Sequence, residues 1–117
     1  MPKTALDVLM FLANNPEFNT AGDVCRYRNI KAALVSFHVE KLVEAGFVER
    51  QAVKGDRRKC RLVCTEKAQP VIKEGRELQK KFAQKLTAGF SDDDMAHFRK
   101  CLHIVSDNID SILKECL

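Results

Sequence analysis

Apolar residues recur along this chain with two different periods, and the change of period marks out its elements. Leu6, Leu9, Met10 and Ala13 fall at helical spacing, with Val8 and Leu12 widening the face, and predict a first helix over 4–14. Asn14-Asn15-Pro16 ends it. Thr20, with Asp23 three residues on, has the pattern of an N-cap with a capping-box acid and opens a second helix over 21–28. Val24 faces the core of that helix, and Cys25 is a small residue suited to burial beside it. After the Asn29-Ile30 turn a third helix runs over 31–45, with Gly46 as its C-cap. Val35, Val39 and Leu42 form its buried face, with His38 at the edge. Ala33, Phe37 and Glu40 lie opposite, flanked by Ser36 and Lys41.

The period then shortens. Phe47-Val48 starts one strand, and Leu62-Val63 with Thr65 carries another, joined by a charged tip that contains Gly55. From Arg50 to Arg61 the basic residues are Arg50, Lys54, Arg57, Arg58, Lys59 and Arg61, against the single acid Asp56. Desolvating that much charge is too costly for the hairpin to fold onto a core. It projects into solvent or meets something anionic.

Helical spacing returns after the hairpin. Thr65-Glu66 is expected to cap a helix over 66–88 with apolar positions at Val71, Ile72, Leu78, Phe82 and Leu86, and Pro70 in its first turn. Gly89-Phe90 breaks it. Ser91 followed by Asp92, Asp93 and Asp94 is a strong helix start. Met95, Phe98, Leu102, Val105, Ile109, Ile112 and Cys116 then follow in alternating steps of three and four, an unbroken heptad register that Cys101, Ile104 and Leu113 widen. Such a stripe serves either as a core face or as a self-association seam. A small chain that already has a helix–turn–helix core favours the seam, with Phe82 and Leu86 completing it.

Two short helices, the second amphipathic, followed by a basic hairpin make a winged helix–turn–helix. The expected fold is therefore mainly α with a small β-hairpin wing: residues 1–65 as the winged region and 66–117 as C-terminal dimerisation helices, within one compact domain. Charge sharpens this picture. Residues 1–70 hold 12 Lys and Arg against 8 Asp and Glu, whereas residues 71–117 hold 8 of each. The whole excess lies in the half that carries the hairpin, which points to a local anionic partner. With no signal peptide and no apolar run of membrane length, the expected location is the cytoplasm, without membrane attachment. Five scattered cysteines suit reduced thiols.

Candidate chemistry adds little. Cys60 and Cys64 share a strand face, and core packing suits them better than a metal site, which would need more ligands nearby. Cys60, between Lys59 and Arg61, is the one thiol with basic neighbours of the kind a redox switch needs. His97 and His103 fall on different helix faces. With no nucleophile–base constellation and no phosphate loop, neither catalysis, a metal nor a cofactor is expected.

Several stretches, in order, resemble the MarR family of bacterial transcriptional regulators. Thr4-Ala5-Leu6-Asp7-Val8-Leu9 is similar to the entry of that family's winged domain, and Lys41-Leu42-Val43-Glu44-Ala45-Gly46-Phe47-Val48-Glu49-Arg50 to the exit of its recognition helix. Asp56-Arg57-Arg58 matches the Asp-x-Arg wing signature, and Val63-Cys64-Thr65-Glu66-Lys67-Ala68 resembles the opening of the following helix. Cys64 and Ala68 stand where leucine and glycine are usual, His38 where leucine is common, and Phe37 where arginine often stands. The resemblance also implies a helix ahead of the winged domain. Here that domain starts a few residues after Met1, so pairing is expected from residues 66–117.

The resemblance implies a homodimeric, sequence-specific regulator on double-stranded DNA, most simply a repressor, with any small-molecule effector of unknown identity. Ala33, Ser36, Phe37, Glu40 and Lys41 would face the major groove, with Phe37 packing on a thymine methyl and Ser36 reaching a base edge or phosphate. Arg26, Arg28 and Lys31 suit phosphates. Arg58 suits minor-groove insertion with Asp56 orienting it, beside Lys54, Arg57 and Lys59 on the wing. Phe82, Leu86, Met95, Phe98, Leu102, Val105, Ile109 and Ile112 are the expected dimer residues. The competing reading is a winged-helix protein-interaction module that binds no DNA, with Phe37 an exposed aromatic at a protein interface and Arg58 part of a surface ion pair.

Overall fold

A computed structural model describes residues 1–116, apart from the side chains of Arg57 and Arg58. Along the chain come α1 (Lys3–Asn14), α2 (Ala21–Arg28), α3 (Ala32–Glu44), β1 (Val48–Val53), β2 (Asp56–Cys64), a single 3-10 turn (Glu66–Ala68), α4 (Gln69–Leu86) and α5 (Asp92–Cys116). They form two compact units, Met1–Gln79 and Lys80–Leu117.

The first unit closes around one apolar core. Val8 and Leu9 of α1, Val24 of α2, Val35 and Val39 of α3, Val48 of β1, Leu62 of β2 and Ile72 of α4 are all buried in it. Each such side chain contributes about 1.5–3 kcal/mol relative to exposure. Local chemistry sets where the helices begin and end. Thr20 Oγ1 accepts from the Asp23 backbone N–H at 3.1 Å, and Asp23 Oδ2 accepts from the Thr20 backbone N–H at 3.3 Å, a reciprocal capping box on α2. At the far end of α3, Gly46 takes φ 83°, its N–H donates to Val43 O, and Phe47 N–H donates to Leu42 O. This paired closure needs a left-handed residue, which is why glycine stands there.

Interactions between distant parts of the chain finish what local sequence cannot. Arg76 of α4 donates through Nη2 to Ala13 O and through Nε to Asn14 Oδ1, satisfying groups that the end of α1 leaves open. Asn19 O, ahead of α2, accepts from Leu62 N–H at 2.7 Å and so ties that segment to the edge of β2. A Cβ placed on Gly75 would stand 2.5 Å from Met10 Sδ, so the glycine leaves the space on α4 that the Met10 side chain of α1 fills.

Thr65 departs from its expected role. It makes no side-chain cap. Its hydroxyl donates to Gly46 O and its N–H to Phe47 O, pinning the start of β1 to the end of β2. It also lies beyond β2, not within it. The helix expected over 66–88 is correspondingly shorter. Pro70 has no N–H to donate to Glu66 O, so a helix starting at Glu66 would lack a bond in its first turn and clash with the ring. The chain makes a 3-10 turn instead, and Pro70 becomes the second residue of α4.

The second unit comprises the end of α4 and α5. Ser91 Oγ accepts from Asp94 N–H at 3.1 Å, and Asp94 Oδ2 accepts from Ser91 N–H at 3.0 Å, a second reciprocal box where the sequence places a helix start. Gly89, at φ 92°, turns the chain between the helices, and the Phe90 and Phe98 rings meet edge to face at 5.5 Å. Among its described residues none is buried. Phe82 is 64% exposed and Leu86 66%, and Leu102, Val105, Ile109 and Ile112 are exposed along one side of α5.

Candidate nucleic-acid interface

The α2–α3 pair presents one side of α3 outward. Val35, Val39 and Leu42 are buried, and His38, expected at the edge, is buried with them at 7% exposure. Lying three residues after Val35 and four before Leu42, it belongs to the same stripe. Ala33, Ser36, Phe37, Glu40 and Lys41 all face outward. Phe37 is 54% exposed, and its ring meets the edge of His38 at 5.2 Å, which ties it to a buried neighbour. Lys41 Nζ lies 5.7 Å from the Phe37 ring centroid and 3.6 Å from Glu44 Oε2. Leu34, 44% exposed, joins Phe37 and Lys41 at spacings of three and seven. Periodicity counts apolar residues toward the core and so does not single it out. Its place beside Ala33, outside the Val35 stripe, is the signal that would have.

The wing differs from a loop with short strands. β1 and β2 pair antiparallel, Val48 opposite Cys64, Arg50 opposite Leu62 and Gln51 opposite Arg61, so Arg50 and Arg61 belong to the ladder and not to a tip. Only Lys54 and Gly55 separate the strands, with Gly55 at φ 88°. The register then jumps. Ala52 pairs with Cys60, but Val53 pairs with Asp56, so Arg57, Arg58 and Lys59 are surplus on β2 and form a bulge. Three consecutive basic residues thus occupy the place where the ladder breaks and the strand is free to re-aim. Lys54 and Lys59 are exposed and Asp56 is half-buried. The side chains of Arg57 and Arg58 lie outside the described residues.

On α2, Arg26 lies over the Tyr27 ring at 5.5 Å, and Tyr27 packs on Phe18 at 4.5 Å. Arg28 is exposed and lines a groove of about 270 Å³ whose walls include Asp7 and Met10 of α1 and Gly75 of α4. Lys31 stands exposed at the N-cap of α3.

The cysteines divide. Cys64 packs against the core with its Sγ 4.0 Å from Leu9 O. Burial pushes its thiol up, while the Arg76 guanidinium pulls the other way. Cys60 is half-buried but stands outside that packing, with its Sγ 3.7 Å from Arg61 O. Among the described residues no group of three His, Cys, Asp or Glu side chains is placed to hold a metal ion. No helix there is long and apolar enough to cross a membrane.

Comparison with known proteins adds a family. The model of the MarR family matches residues 1–59. Solved structures share the fold. A MarR protein from Peptoclostridium difficile is 21% identical with a TM-score of 0.75, over 98% of this chain and 74% of that one. Streptococcus pneumoniae FabT, solved in complex with DNA, is 18% identical with a TM-score of 0.69, over 96% and 78%. Lactococcus lactis ZitR, a zinc-responsive MarR family member, is 26% identical with a TM-score of 0.66, over 93% and 76%. No curated protein sequence matches.

Proposed function

The chain belongs to the MarR family of transcriptional regulators, which are not enzymes, and from that premise we propose that it is a homodimeric repressor that binds a specific double-stranded DNA site. In this reading the outer face of α3 enters the major groove and the bulged tip of the β1–β2 wing reaches the minor groove. Arg26, Arg28 and Lys31 hold phosphates. Phe82, Leu86 and the α5 stripe from Met95 to Ile112 pair two copies.

The observation that carries this is the conjunction of an outward helix face with a projecting hairpin that holds six basic residues and one acid between Arg50 and Arg61. A protein-interaction surface has no need of so one-sided a charge, whereas a phosphate backbone is attracted by it at any sequence. The fold relative solved on DNA supports the same reading.

Replacing Arg57 and Arg58 together by alanine tests it. Duplex affinity should fall, and the slope of log affinity against log salt should flatten by about 0.9 for each phosphate that is no longer neutralised. A double variant that binds as tightly as the parent at every salt concentration would remove the wing from the account.

A further inference from the structure

A helix assigned to the major groove must read bases, and the side chains that α3 offers are unusual for that task. Guanine is read by the forked donors of arginine or by lysine, and adenine by asparagine or glutamine. From Ala32 to Glu44, α3 contains no arginine, asparagine or glutamine. Its one lysine, Lys41, is held over the Phe37 ring and beside Glu44. Glu40 accepts hydrogen bonds but cannot donate them when ionised, so it suits the amino group of cytosine and repels phosphate. What remains exposed on that face is Ser36, whose single hydroxyl can meet any base and so discriminates little, and the apolar pair Leu34 and Phe37, with the small Ala33 beside them allowing close approach.

We propose, resting on the reading above, that α3 discriminates DNA chiefly by the 5-methyl groups of thymine, with Leu34 and Phe37 as the patch that receives them. Affinity and selectivity are then divided between elements. The basic wing attracts any duplex, and the apolar patch of α3 adds its contribution only where methyl groups line the groove. Packing against a Leu–Phe pair removes a methyl from water, worth ~0.8 kcal/mol per carbon and therefore about fourfold in affinity. Both side chains are exposed in the free protein, so the patch is present before binding and altering it spares the core.

The test uses the full chain and a duplex selected from a random pool. Each thymine of that duplex is replaced in turn by uracil, which removes the methyl and leaves the pairing edge intact. At the positions that α3 touches, affinity should fall about fourfold per methyl. That penalty should disappear in Phe37→Ala or Leu34→Ala and persist in Glu40→Ala. A selected duplex that binds equally well with uracil throughout overturns the proposal while leaving DNA binding standing. So does a uracil penalty unchanged in the Phe37 and Leu34 variants. If no duplex is enriched over random DNA, DNA-site recognition itself fails and the methyl patch falls with it, an outcome distinct from the other two.

Discussion

Val8, Leu9, Val24, Val35, Val48 and Ile72 of the first unit are shut away from water, whereas Phe82, Leu86, Leu102, Ile109 and Ile112 of the second are each more than half exposed. Both units are built from amphipathic segments with good caps. They differ in what the apolar stripe finds. In Met1–Gln79 the helices and the hairpin cover one another, and the arrangement is complete within a single chain. In Lys80–Leu117 a helix of 25 residues, about 37 Å long at 1.5 Å per residue, carries a continuous apolar face that, apart from the Phe90–Phe98 contact, the described residues of its own unit leave exposed. The lesson is that one periodicity marks two kinds of surface, and that only the number of neighbouring elements separates core from seam. On this account the first unit is a self-contained head and the second reaches its stable form by pairing.

The largest effect that tests the contrast is expected in the second unit. Leu102→Asp with Ile109→Asp places unpaired charges in the proposed seam of both copies and should dissociate the dimer completely at micromolar concentration, by light scattering. The first unit should stay folded. A variant that remains dimeric moves the interface elsewhere.

Core truncation comes next. Leu9→Ala removes a fully buried side chain and should lower unfolding free energy by about 2–5 kcal/mol, by the same amount at every protein concentration in denaturant titration. A midpoint for the head that shifts strongly with protein concentration would show that the head too depends on pairing.

The caps give the smallest change and the finest comparison. Thr20→Ala and Ser91→Ala each delete one half of a reciprocal box and should each cost about 1 kcal/mol. Thermal melts should show the transition that the Thr20 variant lowers fixed in temperature at every concentration, and the transition that the Ser91 variant lowers rising in temperature with concentration. Identical behaviour of the two would argue that the units do not differ in this way.

Much of this was legible from sequence because it is local. The helices over 4–14 and 21–28, the Thr20–Asp23 and Ser91–Asp94 pairings and the Gly46 closure depend on residues three to five apart, within reach of spacing arguments. The positions of Phe37, Glu40 and Lys41 on the outer face follow from the same periodicity. What escaped depends on partners distant in the chain. Thr65 resembles an N-cap, but its hydroxyl goes to Gly46 O, 19 residues away. Arg76 resembles a surface cation, yet it closes the end of α1. The wing bulge is set by the register between strands, which composition does not encode, and Leu34 is apolar yet turned outward. The heptad stripe of α5 was plain in the sequence, but what covers it is decided by another copy or by none.

The most direct measurement is therefore the stoichiometry of the complex on a duplex carrying two inverted half-sites whose centres are about 10 base pairs apart, one helical turn or 34–36 Å. Two chains per duplex are expected by sedimentation. Tight binding should also be lost when roughly five base pairs are inserted between the half-sites, because half a turn carries the second site to the opposite face of the helix. One chain per duplex at full affinity, or binding indifferent to the inserted half turn, would contradict the pairing of two copies.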